Sequence, residues 1–108
     1  MTDKKIIFLD RDGVINHDVG YFTDIEKFNF IDGVFRACHH FLNLGYEIIV
    51  ITNQSGIGRG IICEDDYIKL TKWMISEFKN KNIDILKVYF CPHMPDCDCD
   101  CRKPKPGM

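Results

Sequence analysis

Lys5-Ile6-Ile7-Phe8-Leu9-Asp10-Arg11-Asp12-Gly13 decides the reading of this chain. A short apolar run of β type ends abruptly in two carboxylates spaced two apart, followed by Gly. Side chains at i and i+2 of an extended segment point the same way, so Asp10 and Asp12 both face the space beyond the strand's carboxyl end. Open α/β sheets place their ligands there. Two neighbouring carboxylates repel unless a cation or a proton sits between them. Such a pair suits one nucleophile and one proton carrier around Mg²⁺. The bland alternative is a solvated acidic turn, and a lone D-x-D-G is a weak pattern. The surrounding sequence gives the pair its weight.

Working outward, the first strand covers roughly Ile6 to Asp10. Gly13 to Ile31 has no clear period and carries Tyr21, Phe22, Phe28 and Phe30, so this excursion is expected to pack against or cover something. Asp32-Gly33 opens a helix, with Asp32 as the expected N-cap. Val34, Phe35, Cys38, Phe41 and Leu42 keep helical spacing, and Gly45 ends the helix at C′. Glu47 to Thr52 reads as a buried strand, and Asn53 to Gly60 as a Gly-rich loop. A second helix runs from about Glu64 to Lys81. Its first turn is acidic and its end basic, as the macrodipole prefers. Its stripe of Tyr67, Leu70, Trp73, Met74 and Phe78 reads as plain core. Ile85 to Phe90 is a third strand, and Cys91 to Met108 is a loop rich in Pro, Cys, Asp and Lys. Strand, helix, strand, helix, strand gives an α/β fold with a parallel sheet and right-handed crossovers.

At 108 residues the chain is one domain or less, and 45% hydrophobic residues suffice for a globular core. The net charge of −2 and the lack of a basic stripe argue against a nucleic-acid partner. The apolar runs are too short to span a membrane, and Met1 to Lys5 does not lead into a signal peptide. A cytoplasmic protein is expected.

The second strand also ends in polar residues, Thr52-Asn53-Gln54-Ser55-Gly56, on the same sheet edge as Asp10. The Thr52 hydroxyl and the loop amides can donate to a phosphate, and Arg59 can add a charged contact. An ordinary strand-to-helix loop is the alternative. Arg102-Lys103 follows the third strand, where two cations can offset the carboxylates and grip a phosphoryl group. A solvated basic tail is the alternative there. Between these lie Cys91-Pro92-His93 and Cys99-Asp100-Cys101. Cys91, His93, Cys99 and Cys101 match a closed tetrahedral Zn²⁺ site of the structural kind, with Cys97 as a fifth candidate. Free thiols are the alternative, and nothing suggests a secreted disulfide framework. The zinc loop, 91–103, would aim Arg102 and Lys103. His17, His39 and His40 have no evident partner. Cys38 and Cys63 are expected to be buried apolar residues.

Together these pieces resemble the haloacid dehalogenase superfamily of phosphohydrolases. Phe8 to Asn16 (F-L-D-R-D-G-V-I-N) looks like its first motif and Ile51 to Gly56 (I-T-N-Q-S-G) like its second. Cys91 to Met108 looks like the zinc loop and third-motif Lys of one branch. That branch holds heptose 1,7-bisphosphate 7-phosphatases and histidinol-phosphate phosphatases, and N-Q-S-G-I-G-R-G and R-K-P-K-P-G-M favour the heptose side. The resemblance implies a Rossmann-like sheet with a short flap, Gly13 to Ile31, and no large cap. It implies that Asp10 is the nucleophile, forming an aspartyl-phosphate, and that Asp12 protonates the leaving oxygen and then activates water. Thr52 and Lys103 would hold the phosphoryl oxygens, with Asn53, Gln54 and Ser55 in the same loop. Arg59 and Arg102 would meet the rest of a sugar phosphate. Mg²⁺ would bind the Asp10 carboxylate and the Asp12 backbone carbonyl.

The family's fourth motif, an acidic residue after a further strand, has no counterpart in residues 1–108. The expectation is a single domain ending after the third strand and zinc loop, either the amino-terminal part of a longer enzyme that is monomeric when intact, a truncated product or a proteolysed species. A zinc-binding fragment without turnover is the competing expectation.

Overall fold

The computed structural model describes residues 5–91. His93, Cys97, Cys99, Cys101, Arg102 and Lys103 lie outside the described residues. Seven elements follow in order. They are β1 (Lys5–Leu9), a 3-10 turn (Ile25–Lys27), α1 (Val34–Asn43), β2 (Tyr46–Asn53), α2 (Ser55–Gly58), α3 (Glu64–Asn80) and β3 (Ile85–Cys91). The three strands form one parallel sheet in the order β1-β2-β3. The expected α/β alternation is therefore present, with β2 central.

The central position explains the sequence of β2. Ile48, Ile49 and Val50 are consecutive and all buried, as a strand covered on both faces requires. Each such side chain contributes about 1.5–3 kcal/mol of burial. β1 pairs only with β2 among the described residues, and its Phe8 is 59% exposed. On α3, Tyr67, Leu70, Met74 and Phe78 are buried and Trp73 is half-buried against the core, so the stripe is core as expected. Gly45 follows the C-cap of α1 with a positive φ of 89°.

The excursion between β1 and α1 is a closed flap. His17 N donates to Asn29 O at 2.9 Å and Ile31 N to Ile15 O at 2.9 Å, joining its neck. Its aromatic rings pin it down. Phe28 lies 4.9 Å from Phe30 and 5.4 Å from Trp73 of α3, and Phe30 lies 4.8 Å from Phe35 of α1 and 5.6 Å from Phe78. Such pairs add about 0.5–1.5 kcal/mol each beyond the area they bury.

Four local expectations are corrected. β1 stops at Leu9, because the chain turns at Asp10. The N-cap of α1 is Gly33 at φ 88°, not Asp32, and no side chain caps the helix. The 53–60 loop contains the short helix α2, Ser55–Gly58, whose turn begins where Ile57 N donates to Gln54 O. Cys63 is exposed, sitting at the N-cap of α3, while Cys38 is buried as expected.

Candidate active site

A cavity of about 350 Å³ opens at the carboxyl edge of the sheet, lined by Asp10, Asp12, Asp18, Gly20, Tyr21, Thr52, Asn53 and Gln54. Asp10 and Asp12 thus share one space, although the chain reaches it by a turn rather than a continued strand. Asp10 Oδ1 accepts from the Arg11 main-chain N at 2.9 Å. The main-chain N–H groups of Val14, Ile15 and Asn16 all point at Arg11 O, at 3.2, 2.8 and 3.2 Å. Gly13 closes this turn at φ 89°, a conformation that L side chains rarely adopt, and its N donates to Asn16 O at 2.8 Å.

Asp12 is held by four donors. Its Oδ1 accepts from Arg11 Nε at 3.1 Å, Arg11 Nη2 at 2.8 Å and Asn16 Nδ2 at 3.0 Å. Its Oδ2 accepts from Gln54 Nε2 at 3.1 Å. The same Gln54 nitrogen donates to Thr52 Oγ1 at 2.8 Å, which leaves the Thr52 hydroxyl proton to point elsewhere. Gln54 is 4% exposed, so its amide braces Asp12 and Thr52 from below. Main-chain Gln54 N donates to Cys91 O at 2.8 Å, tying the loop to the end of β3.

Arg11 is 2% exposed and stacked among aromatic rings. Its guanidinium carbon lies 5.4 Å from the Phe22 ring, 5.7 Å from Phe28 and 5.8 Å from Tyr67, within cation–π range of all three. Burial pushes the Tyr67 phenol above its ordinary 10.0. Thr71 and the charge of Arg11 pull it partly back, and Asp12 pushes it further up. Neither the Tyr67 nor the Thr71 hydroxyl has a hydrogen-bond partner among the described residues, and burial keeps the phenol neutral beneath the cation.

Of the residues expected from sequence, Asp10, Asp12, Thr52, Asn53 and Gln54 meet at the cavity. Ser55 instead bonds across to the flap, its Oγ 3.2 Å from Tyr21 OH. Arg59 is exposed and does not line the cavity. Arg11, Asn16, Asp18 and Tyr21 join the site without having been singled out. Arg11 and Asn16 fall inside the quoted first motif, and that placement was the available signal.

The donor set suits Mg²⁺. Magnesium takes hard oxygen ligands, uses one or two carboxylates and keeps several waters and substrate phosphates. Asp10 and Asp12 offer that within one cavity. Among the described residues no group of three or more His, Cys, Asp or Glu converges on a point. Cys91, fully buried at the end of β3, is disulfide-bonded. A sulfur so engaged is not a thiolate ligand, so a metal site that uses Cys91 requires the bond to be reduced. No described helix is long and apolar enough to cross a membrane.

Residues 5–108 match the family model described as polynucleotide kinase 3 phosphatase. Among curated proteins, the chain is 48% identical to a D-glycero-beta-D-manno-heptose-1,7-bisphosphate 7-phosphatase of Pasteurella multocida, covering 97% of this chain and 60% of that protein. It is 51% identical to the corresponding alpha-anomer phosphatase of Campylobacter jejuni, covering 96% and 59%. Among solved structures, the D,D-heptose 1,7-bisphosphate phosphatase of B. bronchiseptica, complexed with magnesium and phosphate, superposes with a TM-score of 0.86 at 31% identity. That match covers 95% of this chain and 58% of the other. The chain therefore spans about three fifths of the length of the curated relatives it matches.

Proposed function

This chain belongs to the polynucleotide kinase 3 phosphatase family of haloacid-dehalogenase-type phosphatases, and from that premise we propose that it serves a Mg²⁺-dependent phosphatase that removes the 7-phosphate of heptose 1,7-bisphosphate. The observation that carries the reading is the meeting of Asp10, Asp12 and Thr52 at one cavity on the carboxyl edge of a parallel sheet. Phosphoryl transfer needs positioning and charge compensation more than unusual groups. The family model is described after a nucleic-acid phosphatase, but the curated relatives above act on a sugar bisphosphate. A net charge of −2 fits the small sugar phosphate better than a polyanion.

In this reading an Asp10 carboxylate oxygen attacks phosphorus, forming the aspartyl-phosphate as the bond to the sugar oxygen breaks. Asp12 gives its proton to that leaving oxygen. It then takes a proton from the water that attacks phosphorus and frees Asp10. The Thr52 hydroxyl donates to a phosphoryl oxygen. Lys103 would balance the charge of Asp10, and Arg102 together with Arg59, which lies outside the cavity, would meet the rest of the sugar. The Asp10 carboxylate and the Asp12 main-chain carbonyl would hold Mg²⁺, which would supply charge neutralisation at the transferring group. With the Cys91 disulfide reduced, Cys91, His93, Cys99 and Cys101 would hold zinc as thiolates and imidazole, which would fix the loop that carries Arg102 and Lys103. The reaction would serve a lipopolysaccharide heptose precursor in the cytoplasm.

Phosphate release from heptose 1,7-bisphosphate is the direct test, with histidinol phosphate alongside and Asp10→Asn as control. The expected result is Mg²⁺-dependent release from the heptose substrate with higher kcat/KM, abolished in the variant. Undiminished release by Asp10→Asn would remove Asp10 from its role, and preference for histidinol phosphate would move the substrate to the sister branch.

A further inference from the structure

We infer that Arg11 is the positioning residue of the proton carrier: it locks Asp12 with Oδ1 turned inward and leaves Oδ2 as the one oxygen that exchanges the proton. This rests on the role given to Asp12 above. A carboxylate offers about two acceptor directions per oxygen. Oδ1 already receives three N–H donors, two from Arg11 and one from Asn16, so it has no room for a proton. Oδ2 receives one donor, Gln54 Nε2, among the described residues. The asymmetry comes from the fork of the guanidinium, whose Nε and Nη2 converge on a single oxygen rather than straddling both.

The fork is buried and enclosed by aromatic rings. Phe22 and Phe28 come from the flap and Tyr67 from α3, so the cation is gripped by two elements distant in sequence. Nη1 is buried and finds no hydrogen-bond partner among the described residues. A purely structural arginine would be expected to satisfy that group, since a buried unpaired donor is costly. Here the orientation favours Asp12 over the fullest hydrogen bonding of Arg11. Seating the flap and orienting Asp12 are thus one event, because the rings that close the flap are the walls that hold the guanidinium.

The test separates positioning from folding by changing the leaving group. A sugar oxygen needs a proton as it departs, whereas p-nitrophenolate does not. In Arg11→Lys, which keeps the charge but loses the fork, and in Arg11→Met, single-turnover release is measured with heptose bisphosphate and with p-nitrophenyl phosphate. Release from the sugar phosphate should fall about 10²-fold, the scale of lost general acid catalysis, with KM little changed, while p-nitrophenolate release stays near wild type. Equal losses on both substrates, or no loss on either, would overturn the inference. A crystal structure of Arg11→Lys gives a readout without turnover. The Asp12 carboxylate should leave its contacts with Asn16 and Gln54, and an unmoved carboxylate would overturn the proposal. Should the wild-type protein prefer another alkyl phosphate, the heptose reading fails, and the same contrast on that substrate still decides the role of Arg11.

Discussion

Replacing Gly56 by Ala should strike the flap and the phosphate loop at once. Gly56 is buried in α2, and a Cβ built there would lie 2.7 Å from Tyr21 Cδ1 and 2.9 Å from Ile62 Cδ1. Comfortable carbon contacts are about 3.5–4.0 Å, so both neighbours must retreat by roughly 0.6–1 Å. Ile62 is 7% exposed and must shift against packed neighbours, whereas Tyr21 is 48% exposed and its ring yields toward solvent. Its movement breaks the 3.2 Å bond from Tyr21 OH to Ser55 Oγ. Overpacking costs about 1–3 kcal/mol, and with one neighbour half-exposed and the other buried a value of about 2 kcal/mol is expected. Up to about 1 kcal/mol returns from the better helix propensity of Ala. The expected net loss is about 1 kcal/mol, a fall of roughly 4–8 °C in Tm. KM for the phosphate substrate should rise, because Tyr21 lines the cavity. Thermal unfolding of Gly56→Ala, Tyr21→Ala and the double variant checks this. Removing the ring should relieve the Tyr21 part of the clash and leave the Ile62 part, giving a coupling of at least about 0.5 kcal/mol, the lower end for residues in contact. A Gly56→Ala protein as stable as wild type, or a strictly additive double variant, would refute the packing argument.

The zinc reading predicts one zinc per chain in protein purified under reducing conditions, lost on Cys91→Ser. Metal analysis returning none, with Cys91 retained as a disulfide after reductant treatment, would favour the covalent state alone. Burial pushes the Cys38 thiol up from 9.0 to about 11, so the folded state favours the protonated form. Its contribution to stability is therefore complete below pH 9 and lost as pH rises through 11, amounting to about 3 kcal/mol. Denaturant titrations across that window should show a steeper decline for wild type than for Cys38→Ala; parallel curves would contradict the assignment.

Much of the fold was legible because its signals are local. The unbroken Ile48-Ile49-Val50 run marks a strand covered on both faces, and the stripe from Tyr67 to Phe78 marks a core helix, whatever lies around them. Asp10 and Asp12 were legible as a pair because two carboxylates beside a strand end are costly without a cation. Arg11 was not legible. Between two aspartates it reads as a solvated charge, and its burial depends on Phe22, Phe28 and Tyr67 arriving from elsewhere in the chain. Gln54 was placed in the right loop but assigned to phosphate, since nothing local reveals that its amide turns back toward Asp12 and Thr52. Asp32 looked like a cap because its residue type favours that role, yet the helix begins one position later at Gly33.

The position of Gln54 has a consequence for amide deuterium exchange. Its main-chain hydrogen is held by Cys91 of β3, and its side chain grips Asp12 after β1 and Thr52 of β2. That hydrogen exchanges only when β2 and β3 part, so it should be as protected as the interior of the sheet although it lies outside every strand. The residue that assembles the carboxyl edge is also its latch, and the last local opening to expose this proton should be the one that dismantles all three strand ends together.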